Sequence, residues 1–148
     1  MEFKYCPDTL MMTNGLMCEM CSEEHCKYFF CLVVGSRGFE DYPKMKEELD
    51  ALLKDKDEVA IVSGGAKGAD ALAKYYAKEN NLKYYEFKAD WSKGKGAGFE
   101  RNEEMHKFIS HFDRRICVAF WDGKSHGTAH SFDLAKKYNN ELKVVKYL

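Results

Sequence analysis

Residues 61–73 read IVSGGAKGADALA, and their types and order suit the binding of a phosphate group. A short apolar run, Val59–Val62, ends at Ser63, and Gly64, Gly65 and Gly68 follow. Ala69, Leu72, Ala73, Tyr76 and Ala77 then recur with the spacing of a helix face. A strand, a glycine turn and a helix start in direct succession point unpaired N–H groups and the positive end of a helix dipole at one spot. Glycines there permit positive φ and let a ligand approach with no Cβ in the way. An ordinary strand-to-helix turn needs only a glycine or two, and three in five residues favour the phosphate reading. The turn is not a Walker loop, because G-x-x-x-x-G-K-[ST] is absent. It also lacks the G-x-G-x-x-G order of dinucleotide-binding turns.

Two further glycine-bearing stretches carry the same kind of chemistry. Gly35-Ser36-Arg37-Gly38 follows an apolar run, and Asp122–Thr128 (DGKSHGT) follows another. Gly127-Thr128 is read as opening a helix, so that its N–H groups and the Thr128 hydroxyl suit a second phosphate or a ribose oxygen. A plain N-cap is an equally common use of that threonine. Arg37, Lys67, Lys93, Lys95, Arg101 and Lys124 lie in or beside these loops and, gathered, would attract an anion. Trp91 and Trp121 flank the same region and offer faces for stacking on a base, although Trp121 closes a buried strand and suits core packing better. Asp70, Asp90, Glu100, Asp122, His126, His130 and Asp133 are the groups available for acid–base work, and no pair among them has a distinguishing spacing. No G-x-S-x-G elbow, metalloprotease helix or zinc deaminase motif is present.

Residues 1–27 differ from everything after them. They hold Cys6, Cys18, Cys21 and Cys26 and show no helix or strand periodicity. Cys18 and Cys21, two residues apart, can direct both thiolates at one ion, and Cys6 with Cys26 (or His25) would complete a tetrahedral structural zinc site. A segment this short has little apolar surface with which to order itself in the absence of metal. Cys31 and Cys117 sit inside apolar runs and read as core residues.

From residue 28 onward strands alternate with helices. Tyr28–Val34 is a continuous apolar run of the kind buried on both faces of a parallel sheet. Pro43 marks a helix start after Asp41, with Met45, Leu49, Leu52 and Leu53 as its stripe. Val59–Val62 and a helix to about Glu79 follow. Leu82–Phe87 is a more polar strand suited to a sheet edge. A long loop, Ala89–Gly98, leads to a helix marked by Met105, Phe108, Ile109 and Phe112. Ile116–Trp121, a helix over Thr128–Tyr138 and a strand over Leu142–Tyr147 complete the chain. The pattern predicts an α/β, Rossmann-like parallel sheet of about five strands with helices on both faces, over residues 28–148, preceded by the short Cys-rich element of residues 1–27. Strand order 3-2-1-4-5 places the first and fourth strands side by side at the switch point, with all three glycine loops at that one edge.

Composition narrows the function further. The chain has 148 residues, with 23 basic against 24 acidic, for a net charge of −1. That balance argues against a protein that binds nucleic acid through a broadly positive surface. No stretch approaches the length of a membrane helix and no signal-peptide hydrophobic region precedes the domain, so a cytoplasmic protein with reduced thiols is expected.

VVGSRGF, VSGGAKGAD, ADW with GKGAGFERNEEM, and WDGKSHGT, in that order over about residues 29–147, together resemble the YspA/cpYpsA-related family of the SLOG superfamily. That superfamily joins the Smf/DprA DNA-processing proteins to the lysine-decarboxylase-like LOG phosphoribohydrolases. The resemblance implies a Rossmann-like fold and a nucleotide or nucleotide-derived ligand. It makes GGAKG the first phosphate loop, GKSHGT the counterpart of the LOG P-G-G-x-G-T turn, and Arg101-Asn102 the family's R-N pair. LOG enzymes follow G-T by two residues and then a glutamate that assists glycosidic cleavage, whereas here Ser131 stands at that position. The hydrolase activity therefore does not carry over unless Asp70, Asp122 or His130 substitutes.

The expected ligand set is Gly35, Ser36 and Arg37 from the first loop and Ser63, Gly64, Gly65 and Gly68 from the second. Trp91, Arg101 and Asn102 join them, with Asp122, Ser125, Gly127 and Thr128 from the last loop. A nucleotide-derived small molecule is the expected partner, used in sensing or signalling. Nucleotide N-glycosidic hydrolysis is the first alternative. Binding of nucleic acid in the manner of DNA-processing proteins is the second and is not favoured. No membrane partner is expected, and homo-oligomerisation stays open.

Overall fold

The computed structural model describes residues 4–5, 12–13, 28–94 and 96–147. Two strands of two residues each, β1 (Lys4–Tyr5) and β2 (Met12–Thr13), pair antiparallel near the N-terminus. Strands this short leave no periodicity to read, in keeping with the lack of a strand pattern in that part of the sequence. Cys6, Cys18, Cys21 and Cys26 lie outside the described residues. Among the described residues no group of three or more His, Cys, Asp or Glu is placed to hold a metal ion.

The rest is a five-stranded, all-parallel sheet in the order β5-β4-β3-β6-β7. Its members are β3 (Phe29–Gly35), β4 (Val59–Ser63), β5 (Lys83–Glu86), β6 (Arg115–Trp121) and β7 (Leu142–Lys146). The helices are α1 (Tyr42–Leu53), α2 (Ala69–Glu79), α3 (Ala97–Ser110) and α4 (His126–Lys137). This is the order read from the sequence, with the polar strand β5 at an edge and β3 beside β6 at the centre.

β3 shows why its residues are apolar without a break. Phe29, Cys31 and Val33 enter a core shared with Met45 and Leu49 of α1 and with Ala73 and Tyr76 of α2. Phe30, Leu32 and Val34 enter the opposite core with Met105, Phe108 and Ile109 of α3. Alternate side chains point to opposite faces, so a strand covered on both sides has no polar position. Phe30 stacks on Phe112 with ring centres 4.2 Å apart. Cys31 and Cys117 are both buried free thiols, as the apolar runs predicted.

Two boundaries differ from the sequence reading, and both matter for the site. The loop before α3 contains a 3-10 turn, Trp91–Lys93, capped by the Asp90 side chain, and α3 begins at Ala97. Helix α4 begins at His126 with Ser125 as its N-cap, so Thr128 lies inside the first turn and is not the cap.

His106 of α3 is fully buried. The Arg115 guanidinium donates to Asn140 Oδ1 at 2.5 Å, which turns the Asn140 amide nitrogen toward His106 Nδ1 at 3.1 Å. An amide nitrogen only donates, so Nδ1 accepts and the imidazole proton resides on Nε2, 3.9 Å from the Cys117 sulfur. Burial pushes His106 down to about 4, and it is held neutral.

Candidate functional site

The carboxyl ends of β3, β4 and β6 carry the three glycine loops, and between them lies a cleft of about 450 Å3. This is the switch point of the sheet, where open α/β proteins bind ligands. Ser36 holds the three loops together. Its carbonyl accepts from the Ala69 N–H at the start of α2 (3.3 Å). Its hydroxyl accepts from the Asp122 N–H (3.2 Å) and the Ser125 hydroxyl (3.0 Å) before α4. The residue itself is only 3% exposed.

The glycines of the second loop serve a different purpose from the one the sequence suggested. Gly68 has φ +76°, and a Cβ there would sit 2.4 Å from the carbonyl oxygens of Ser36 and Arg37. Gly65 has φ +74°, and its Cβ would meet the Glu86 side chain at 2.7 Å. At Gly64 a Cβ would run into the Arg101 guanidinium. The missing side chains thus make room for neighbouring parts of the protein, and Ala66 and Asp70 are what this loop presents to the cleft. Ser63 is fully buried beneath it, with its hydroxyl 2.6 Å from that of Tyr84 and donating to the Asp70 carbonyl.

Helix α3 closes one wall through two consecutive side chains. Arg101 donates from Nη1 to the Gly64 carbonyl at 2.7 Å and from Nε to Asn102 Oδ1 at 3.0 Å. Asn102 Nδ2 in turn donates to the Gly127 carbonyl at 3.4 Å. A polar bridge therefore crosses from the second loop to the third. Asp70, 6% exposed, lies under it and accepts from the Ala66 N–H at 3.2 Å. Burial pushes the Asp70 carboxyl above its ordinary range, while the Arg101 charge pulls the other way.

The third loop supplies an uncapped helix start. No side chain caps α4, and the Ser125, His126, Gly127 and Thr128 region faces the cleft. Asp122 is engaged elsewhere, accepting from the N–H groups of Lys124 and Ser125 at 2.8 Å each. Those bonds, with Lys124 first, hold its carboxyl below the usual range, and it does not line the cleft.

At the mouth, the Arg37 guanidinium lies 6.0 Å from the centre of the Trp91 ring, which is 57% exposed. Arg37 and Arg101 are the two of the six expected cations that line the cleft. Lys93 pairs with Glu100 at 3.2 Å, Lys67 and Lys124 are exposed, and Lys95 lies outside the described residues. Trp121 packs edge to face on Phe132 and donates from its ring nitrogen to the Ser125 carbonyl. His130 stands behind Phe99, ring to ring at 4.7 Å, and Asp133 is exposed beside a separate depression.

The cleft thus gathers Gly35, Ser36, Arg37, Trp91, Arg101 and Asn102 with Ser125, Gly127 and Thr128. It leaves Ser63, Gly64, Gly65, Gly68, Asp122 and His130 outside its lining. Phe99 and Met105 line it too and escaped the sequence reading, because Met105 reads as helix core and Phe99 as a lone surface aromatic. Ser131 is also there, 0% exposed, its hydroxyl without a partner.

A doubly wound parallel sheet with an uncapped helix start and a partly buried polar bridge at its switch point defines an α/β domain with its cleft where this fold class binds ligands. The family model described as the YspA, cpYpsA-related SLOG family matches residues 31–94. The Gene 61 protein of Mycobacterium phage D29 is 34% identical over 113 residues, covering 72% of this chain and 87% of that protein. The chain belongs to the YspA, cpYpsA-related SLOG family.

Two solved structures share the fold. One is DNA processing protein A from Helicobacter pylori, described for its single-stranded DNA binding mode. It has a TM-score of 0.57 and 24% identity, over 81% of this chain and 66% of that one. The other is DNA processing protein A from Streptococcus pneumoniae. It has a TM-score of 0.59 and 17% identity, over 86% of this chain and 53% of that one. The chain is therefore similar to only part of each of these proteins.

Proposed function

We propose that the cleft binds a nucleotide-derived small molecule, in a ligand-sensing or signalling role. Its phosphate would sit at the start of α4 and its base against the Arg37–Trp91 pair. The observation that carries this reading is the uncapped N-terminus of a twelve-residue helix opening into the same cleft as an exposed tryptophan. The helix start suits an anion and the ring suits a base face. The volume of about 450 Å3 lies in the range of small-molecule sites. The balanced charge of the chain also favours a small ligand over a long polyanion.

Hydrolysis of the N-glycosidic bond is not part of this reading. Cleavage develops positive charge on the ribose, which a nearby carboxylate stabilises. Asp70 is the carboxylate among the residues lining the cleft, and it is tied to the Ala66 N–H beside Arg101. Single-stranded DNA is the second reading, favoured by the exposed Arg37–Trp91 pair, which offers a stacking platform for a base.

A thermal-shift panel of nucleoside phosphates, dinucleotides and ADP-ribose tests the proposal. A ligand at 100 times its Kd adds about 2.7 kcal/mol, which raises the melting temperature of a domain this size by roughly 5–10 °C. The binder is expected to release no free base over hours. Absence of any shift, together with salt-dependent binding to an oligonucleotide, would replace the first reading by the second.

A further inference from the structure

Ser131 belongs to the cleft lining, and its buried hydroxyl has no hydrogen-bond partner. A serine inside a helix ordinarily donates back to the carbonyl four residues earlier. Here that carbonyl belongs to Gly127 and accepts from Asn102 Nδ2. An unsatisfied buried hydroxyl destabilises a fold, and alanine would fill the same space without that cost.

The placement indicates what the hydroxyl meets. Ser131 is one turn after Gly127 and Thr128, on the same face of α4, and helix side chains lean toward the N-terminus. That places its side chain on the face of α4 that leads to the uncapped helix start. Asp122 is engaged by Lys124 and Ser125, Asp133 is exposed elsewhere, and Asp70, the carboxylate of the cleft lining, comes from the second loop and is tied to the Ala66 N–H. The helix start itself presents N–H donors.

We infer that Ser131 is a specificity-determining contact, its hydroxyl donating to a phosphate oxygen of the ligand seated at the start of α4. The inference rests on the nucleotide-binding reading above and adds the group that selects phosphorylated ligands over their dephosphorylated forms.

Calorimetric titration with the tightest nucleoside monophosphate of the panel, its parent nucleoside and inorganic phosphate tests this. Ser131→Ala is expected to weaken the monophosphate about 10-fold to 100-fold and to leave the nucleoside within about twofold. Unchanged monophosphate affinity in Ser131→Ala, or equal weakening of nucleoside and nucleotide, overturns the Ser131 assignment and leaves the pocket reading standing. A wild-type protein that binds no phosphorylated probe removes both. Melting of the free protein is a separate check. Ser131→Ala should raise the melting temperature by about 2–4 °C, since an unsatisfied group is removed, and a fall would show that the hydroxyl has an internal partner.

Discussion

Arg101 and Asn102 are neighbours in sequence whose side chains bond to each other, Nε to Oδ1 at 3.0 Å, while reaching in opposite directions across the cleft. Arg101 holds the Gly64 carbonyl and Asn102 the Gly127 carbonyl. The pair therefore sets the distance between the second and third loops. The fork of a guanidinium supplies both the Gly64 and the Asn102 bond, which a lysine ammonium on a flexible stem does not reproduce. Arg101→Lys should keep the charge yet lose about 1–3 kcal/mol of stability and weaken the ligand by tenfold or more. Urea unfolding and calorimetric titration of the variant measure the two effects.

Gly68→Ala should be among the most damaging substitutions in the domain. It combines φ +76° with a 2.4 Å approach to two backbone carbonyls that have no freedom to retreat. A loss of about 3 kcal/mol or more is expected, read as a drop in the urea midpoint or as insoluble protein. Gly127→Ala is the contrast, because nothing lies within 4 Å of the added methyl. Its stability should stay within about 0.5 kcal/mol of the parent, and any effect should fall on the ligand.

His106 makes stability depend on pH with a definite sign. Its folded value is about 4, against about 6.5 in an unfolded chain. Between those values the unfolded chain holds a proton that the folded protein does not. Stability is complete above pH 6.5 and falls as the pH drops toward 4, by roughly 3 kcal/mol from this residue. His106→Gln should remove that slope, so the difference between the two proteins' urea midpoints should change over this window and be flat above it.

The cysteine-rich N-terminus carries a metal proposal. Elemental analysis of the full chain is expected to find one zinc per molecule, lost in a Cys18→Ser/Cys21→Ser double variant that still folds from Tyr28 onward. Zinc-free wild-type protein whose first residues resist protease would dispose of the site.

The sheet was legible because burial on both faces leaves a plain mark. Phe29–Val34 has no polar residue, and the more polar β5 lies at an edge. The convergence of the loops followed from strand order alone. Side-chain destinations did not. A glycine-rich turn reads the same whether its empty Cβ position faces a ligand or, as at Gly65, a glutamate from the next strand. Gly127-Thr128 resembles a helix opening, but Asp122 organises the turn by taking the Lys124 and Ser125 N–H groups, and the helix begins earlier. Lys93 counted as a free cation until its partner Glu100 came round the first turn of α3. His106 carried no signal, since its neighbours Asn140 and Cys117 belong to other elements.

Ser36 has a kinetic consequence. Its carbonyl receives the Ala69 amide and its hydroxyl the Asp122 amide, so two amides distant in sequence are protected by one residue. Any fluctuation that lifts Ser36 out of the loop junction exposes both to solvent in the same event. Their hydrogen-exchange rates should therefore move in step across temperature and denaturant. An occupant of the cleft that quiets one of these amides quiets the other as well.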